Sequence, residues 1–256
     1  MISQYEDALY EDPKLARFYD LDNSLQRADY AAYLQLASSA SHILDLGCGT
    51  GTLLTAIAEQ YPHTTLVGVD PAQAMLDIAQ QKTNHVRWVN STAEALCLDI
   101  KFDLIILSGH AFQVFLTQEQ RIAALQTMQR HLTADGTIVF DSRNPTVEEW
   151  REWTPELSRE SLSTQEFGEV ILWNDVAEQN GIVRYQTFYQ QGENGSIYRA
   201  ESDIAFPTLS DITQALESCD LKIRHLYGDW QLNAFQENSP EMIFTLEHTD
   251  PLLVKS

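Results

Sequence analysis

The stretch Asp45-Leu46-Gly47-Cys48-Gly49-Thr50-Gly51 reads DLGCGTG and decides the fold. The apolar pair Ile43-Leu44 leads into it, and a helical pattern, Thr52 to Gln60, leads away toward Pro62. Three glycines stand at alternate positions behind an acid. Glycine adopts left-handed backbone conformations at little cost, so a chain can turn sharply there and a ligand can rest on bare peptide. The following helix offers unpaired N–H groups and the positive end of its dipole, which favour a carboxylate or phosphate. Open parallel sheets bind ligands at such places, beyond the carboxyl ends of their strands.

Working outward, strands and helices alternate. After the first strand and helix come the strand Thr65–Asp70, a helix from Pro71 to Lys82 and the strand Val86–Asn90. The strand Phe102–Gly109 follows, apolar enough to be central in a parallel sheet. A helix opens at Thr117 with Gln120 three residues on, a capping-box pattern, and Gly136 leads into the strand Thr137–Asp141. Five such units predict a doubly wound α/β sheet with right-handed crossovers. Residues before 41 read as helices, with Asp22 or Asn23 available as a cap for Leu25–Ala37.

The rhythm changes after Pro145. Asn180-Gly181 between two β-rich runs signals a hairpin, and a second glycine-rich turn at 192–196 joins a third strand. The organisation expected is cap helices over 1–40 and a cofactor-binding core over 41–145. An antiparallel β insertion acting as a lid spans 146–207, and 208–256 supply a last helix and two strands that complete the core.

There are 16 Lys+Arg against 37 Asp+Glu, a net charge of −21, which disfavours nucleic acid and anionic membrane surfaces as partners. The three cysteines, Cys48, Cys97 and Cys219, are odd in number and widely spaced, so neither a disulfide framework nor a metal-ligand spacing emerges. The acidic N-terminus lacks the apolar core of a secretory signal, and a reducing cytoplasm is the simplest expectation.

Two cofactor classes use a glycine loop of this kind. A nicotinamide fingerprint wants a third glycine where Thr52 stands. Asp45 would repel a pyrophosphate but can accept from an ammonium, so a ligand carrying both amine and carboxylate suits the loop better. Asp70 ends the second strand, where a carboxylate takes ribose hydroxyls or caps the next helix with Gln73.

The runs ILDLGCGTG, VGVDPAQAMLDIAQ, NSTAEAL, FDLIILSGHAFQVF and LTADGTIVFDSRNP resemble, in order, the motifs of class I S-adenosylmethionine-dependent methyltransferases over roughly residues 15–145. The resemblance implies a seven-stranded, mostly parallel sheet in the order 3-2-1-4-5-7-6 and S-adenosylmethionine as cofactor. By position, Asp45, Gly47, Cys48 and Gly49 would line its methionine tail. Asp70 and Pro71 would lie at the ribose, and Met75 with Thr92 and Ala93 at the adenine. Thr92 stands where many members carry an acid. Leu107 and Ser108 would lie under the sulfonium, and Tyr19 would reach in from a cap helix.

For the acceptor, a small molecule, the loop after the fourth strand offers His110 as candidate base, because an ordinary imidazole titrates near neutrality. Phe112, Gln113, Arg143, Trp150, Trp153, Asp229 and Trp230 are the candidate acceptor contacts. Each has a structural alternative: core packing for the aromatics, pairing with Asp141 for Arg143, a surface turn for Asp229. A nicotinamide oxidoreductase and a cofactor-binding protein without turnover stay open as alternatives. A monomer or homodimer without metal is expected.

Overall fold

The structure is a computed structural model and describes residues 8–22, 28–164, 166–193 and 195–250. Three short helices come first: α1 (Ala8–Glu11), α2 (Pro13–Asp22) and α3 (Ala28–Ala37). Then alternate β1 (His42–Leu46), α4 (Thr52–Gln60), β2 (Thr65–Asp70), α5 (Gln73–Lys82), β3 (Val86–Asn90), β4 (Phe102–Leu107), α6 (Gln118–His131) and β5 (Leu132–Arg143). Four antiparallel strands follow: β6 (Glu160–Thr164), β7 (Gly168–Gln179), β8 (Ile182–Gln191) and β9 (Ile197–Ala205). The described chain closes with α7 (Leu209–Glu217), β10 (Leu221–Tyr227) and β11 (Glu241–His248).

The core sheet runs β10-β11-β5-β4-β1-β2-β3, the order expected, with β11 antiparallel to both its neighbours. Strand order reverses between β1 and β4, which run parallel, so the carboxyl ends of β1, β2, β4 and β5 open onto one crevice. The two faces carry separate apolar layers. Phe102, Phe112, Phe140 and Phe244 fill one, and Tyr33, Ile43, Leu54, Ile57 and Ile106 the other.

Local signals place most boundaries. Thr117 and Gln120 form the reciprocal capping box that starts α6. Asn180 and Gly181 both take positive φ, 56° and 76°, the pattern of a type I′ hairpin turn between β7 and β8. Two expectations change. β5 starts at Leu132, directly after α6, and a register shift against β4 absorbs the extra residues before Thr137. The insertion carries a fourth strand, β6, whose mostly exposed sequence Glu160–Thr164 has little apolar alternation to reveal it. Asn23 and Leu25–Arg27 lie outside the described residues, and Asp22 ends α2.

The second sheet meets the cap helices through its apolar face. Phe18 of α2 stacks on Tyr189 with ring centres 4.9 Å apart, and Leu15, Val170, Leu172 and Ala200 complete that cluster. The other side of α2 packs Ala16 against Ala72 and Met75 of the core. The cap helix thus touches both sheets.

Candidate active site

At the end of β1 the chain turns through Gly47, Gly49 and Gly51, with φ of 80°, 53° and 71°. That left-handed geometry explains the first two glycines. Gly51 has a second cause: a Cβ there would stand 2.3 Å from Cη2 of Trp88, so this glycine serves packing under the loop. The Gly47 and Cys48 amides donate to the carbonyl of Val69 at 2.7 and 3.0 Å. The Gly49 amide donates to Asp70 Oδ2 at 2.9 Å. These three amides build the turn and lock it to β2.

Asp45 is 1% exposed, and its Oδ1 has no hydrogen-bond partner. Burial, reinforced by the charge of Asp70, pushes its carboxyl up to about 8. A buried carboxylate oxygen without a donor is costly, and a ligand ammonium would supply such a donor. Asp70, at the adjacent strand end, accepts from Gly49 and from the Ala72 amide, both at 2.9 Å. Burial pushes it up to about 6, while those two amides pull the other way. Each of its oxygens keeps a second lone pair, the requirement for taking two ribose hydroxyls. The alternative capping box with Gln73 does not form: the Gln73 amide nitrogen donates to Asp77.

Tyr19 lies against the loop, its Cε1 3.7 Å from where a Gly49 Cβ would stand. Met75 is fully buried and Ala93 nearly so. Pro71 accepts from the Asn90 side chain at 2.8 Å through its carbonyl. Thr92 is exposed, and its hydroxyl accepts from the Ala95 amide at 3.3 Å, closing a turn where an acid was expected. Cys48 is buried, and burial raises its thiol well above the usual range. Leu107 ends β4 under the loop, 3.5 Å from the position of a Gly47 Cβ, and the half-buried Ser108 follows it.

One fastening escaped the sequence reading. Asp20 of α2 accepts from Thr50, from Thr52 at 3.4 Å and from Lys82 Nζ at 2.6 Å. Lys82 also donates to Thr52 at 2.7 Å. Thr52, read above only as a missing glycine, therefore helps to pin the cap helix across the glycine loop.

The loop after β4 touches the glycine loop: Ala111 Cβ is 3.4 Å from where a Gly47 Cβ would stand. Its neighbour His110 has φ 60° and donates its backbone N–H to Asp141 Oδ2 at 2.9 Å. The His110 ring nitrogen Nε2 lies 3.0 Å from each carboxylate oxygen of Glu241 and 3.3 Å from Asp141 Oδ2. Asp141 is fully buried and accepts from the Tyr33 hydroxyl at 3.0 Å. Burial raises its carboxyl, and the positive field of His110 opposes that. Tyr33 in turn packs on Trp230, ring centres 5.3 Å apart. Asp141, Glu241 and Tyr33 were not singled out from the sequence, since they come from three elements distant in the chain.

Several acceptor candidates prove to be framework. Phe112 stacks on Phe140, meets Phe115 edge-on and is fully buried in the core. The short turn Ala111–Val114 rotates it inward, away from the crevice. Gln113, also fully buried, donates to the Ala205 carbonyl at 2.8 Å and accepts from Arg143 at 3.0 Å. It joins the end of β9 to the end of β5. Asp229 accepts from the Gln231 and Asn233 amides and from the Asn233 side chain, so it shapes its own turn; those donors hold its carboxyl below the usual range. Arg143 pairs with Glu149 at 3.3 Å, not with Asp141, and its guanidinium lies 4.9 Å from the ring centre of Trp153. Trp150 and Trp153 gather around Phe206, at 4.2 and 6.2 Å, where the second sheet meets the core.

A doubly wound sheet with this strand order, a glycine loop after its first strand and a buried acid on each of its first two strands form a cofactor-binding type of crevice. The comparisons with known proteins support a class I S-adenosylmethionine-dependent methyltransferase over the nicotinamide alternative. Residues 43–136 match the model of the methyltransferase domain family. Over 212 residues the chain is 26% identical to the cypemycin N-terminal methyltransferase of a Streptomyces species, covering 80% of this chain and 82% of that one. It is 33% identical over 107 residues to the malonyl-[acyl-carrier protein] O-methyltransferase of Bacillus cereus, covering 41% of this chain and 38% of that one. The fold is shared with the CcbJ methyltransferase of Streptomyces caelestis, at a TM-score of 0.78, 17% identity and coverage of 95% and 99% of the two chains. It is shared also with the sugar N-methyltransferase KedS8 of a Streptoalloteichus species, at 0.72, 19% identity and coverage of 95% and 96%. No helix among the described residues is long and apolar enough to cross a membrane.

Proposed function

We propose that this methyltransferase acts on a small-molecule acceptor, bound where the ends of β4, β5 and β11 face the four-stranded sheet. The observation that carries this is the contact between the two loops, Ala111 against Gly47, which sets the His110 cluster beside the methionine-tail site. S-Adenosylmethionine, when bound, supplies an electrophilic methyl group on a sulfonium. Asp45 holds the ammonium of the tail and Asp70 the ribose. Met75 and Ala93 flank the adenine, Leu107 and Ser108 floor the reacting end, and Tyr19 covers the loop.

The second sheet, from β6 to β9, serves as the lid. Trp150 and Trp153 exclude water at its base, Trp230 does so beside Tyr33, and Gln113 joins Arg143 of β5 to Ala205 of β9. Holding donor and acceptor in line inside a dry site supplies about 7–11 kcal/mol of the barrier. The chain's charge of −21 keeps phosphate-rich macromolecules away and leaves the crevice to small acceptors. The test is S-adenosylhomocysteine formation from the purified protein with size-fractionated cell extract. Turnover in the fraction below about 1 kDa supports the reading, and turnover confined to the protein or nucleic-acid fraction contradicts it.

A further inference from the structure

We infer that helix α2 couples the cofactor crevice to the lid: the cofactor seats α2, and a seated α2 holds the second sheet in place. The inference rests on the cofactor and lid placements proposed above and adds the link between them, with Phe18 and Asp20 as its positioning residues.

Residues three and four apart share a face of a helix, and α2 divides accordingly. Leu15 and Phe18 belong to the lid's apolar cluster, with Val170, Leu172, Tyr189 and Ala200. Phe18 meets three rings there, those of Phe167, Tyr189 and Tyr198, at 4.5, 4.9 and 5.5 Å between centres. Arg17 pairs with Glu166 of the turn between β6 and β7, and its guanidinium lies 5.2 Å from the ring centre of Phe167. Ala16, Tyr19 and Asp20 serve the other side. Ala16 and Tyr19 pack with Ala72, Ala74 and Met75, and Asp20 accepts from Thr50, Thr52 and Lys82. Tyr10 of α1 packs in both clusters and bonds the Tyr185 hydroxyl at 3.2 Å.

Among the described residues, the cluster on the lid's apolar face contains no side chain of the seven-stranded sheet. That face rests on the cap helices instead. The ties from α2 to the loop are the softer half of the link, for the side chains of Lys82 and Asp20 are 25% and 33% exposed, and such pairs hold weakly in water. A ligand shifts an equilibrium only through contacts it makes better in one state. Tyr19 provides such a contact, because a cofactor in the crevice meets its ring only while α2 is seated. By linkage, whatever loosens the lid from α2 loosens the cofactor by the same factor.

The test is hydrogen exchange of the protein with and without saturating S-adenosylhomocysteine. Amides of β7, β8 and β9 should exchange at least about threefold more slowly with the ligand, and those of β10, at the far edge of the core sheet, should slow less. In Asp20→Ala, at the same saturation, the slowing should vanish from β7–β9 and persist at the glycine loop. Phe18→Ala, on the lid side of the helix, should raise the Kd for S-adenosylhomocysteine about 3- to 10-fold, and Phe18→Leu should restore most of it. Unchanged β10 exchange in the free variants shows that the core survives. Slowing no greater in β7–β9 than in β10, slowing that survives in Asp20→Ala, or a Kd unmoved by Phe18→Ala overturns the inference while leaving the methyltransferase reading intact. Failure of the wild type to bind S-adenosylhomocysteine would instead strike that reading.

Discussion

Lys82 Nζ lies 2.6 Å from Asp20 Oδ2, and this ion pair joins the end of α5 to the cap helix across the glycine loop. The loop lies between them, because Thr50 and Thr52 donate to the same carboxylate. Cofactor binding should therefore depend on Asp20, a residue outside the proposed ligand site. Asp20→Ala should raise the Kd for S-adenosylmethionine about 3- to 10-fold with little loss of thermal stability, since the partners are partly exposed. Calorimetry and a melting curve on one sample check both halves.

Asp45 makes cofactor affinity depend on pH. Its carboxyl, raised to about 8, is mostly neutral at pH 6 and about half ionised at pH 8. The ammonium partner needs the ionised form, so affinity should rise over that interval, and Asp45→Asn should flatten the rise while weakening binding at pH 8. Stability runs the opposite way. Between about pH 4 and pH 8 the folded state holds a proton that the unfolded state has released, so folding stability attributable to Asp45 declines as pH increases. Denaturant melts of wild type and Asp45→Asn at pH 5 and pH 8 should show the wild type losing more.

Gly51 and Gly192 separate packing from conformation. Both have positive φ, 71° and 64°. An added Cβ at Gly51 would meet Trp88 at 2.3 Å and Ala79 at 2.9 Å, whereas at Gly192 nothing lies within 4 Å. Gly192→Ala should cost only the left-handed penalty, about 1–2 kcal/mol. Gly51→Ala should add overpacking against a rigid indole, for a total of about 2–5 kcal/mol. Urea denaturation of the two variants provides the comparison.

Gln113 predicts stability loss rather than catalytic loss. Its buried amide bridges Ala205 and Arg143, and truncation leaves both without that partner. Gln113→Ala should destabilise the protein by about 2–3 kcal/mol while leaving cofactor Kd unchanged, measured by urea melts and calorimetry.

What could be read from the sequence was whatever neighbours along the chain determine. The glycine loop, the capping box at Thr117 and the Asn180-Gly181 turn are local chemistry, and the alternation of strand and helix carried the core sheet with them. β6 escaped because its residues are polar and exposed on a short edge strand. The acceptor side escaped more fully. Glu241 meets His110 from 131 residues away, and Tyr33 meets Asp141 from 108, and no local pattern encodes such pairings. Phe112 stands in the sequence between core packing and acceptor contact, and Gln113 as a candidate acceptor contact, because both follow the fourth strand; the 3₁₀ turn Ala111–Val114 buries both. For Asp229 the structure shows the surface-turn alternative, its carboxylate spent on its own turn.

The central claim is that Asp45 and Asp70 form the two poles of a cofactor crevice, and titration of the protein with S-adenosylhomocysteine tests it most directly. The account predicts one site per chain with a Kd in the micromolar range, about −8 kcal/mol, weakened at least about tenfold in Asp70→Ala through loss of charged hydrogen bonds to the ribose. Absence of binding to the wild-type protein, or affinity indifferent to Asp70→Ala, would contradict it.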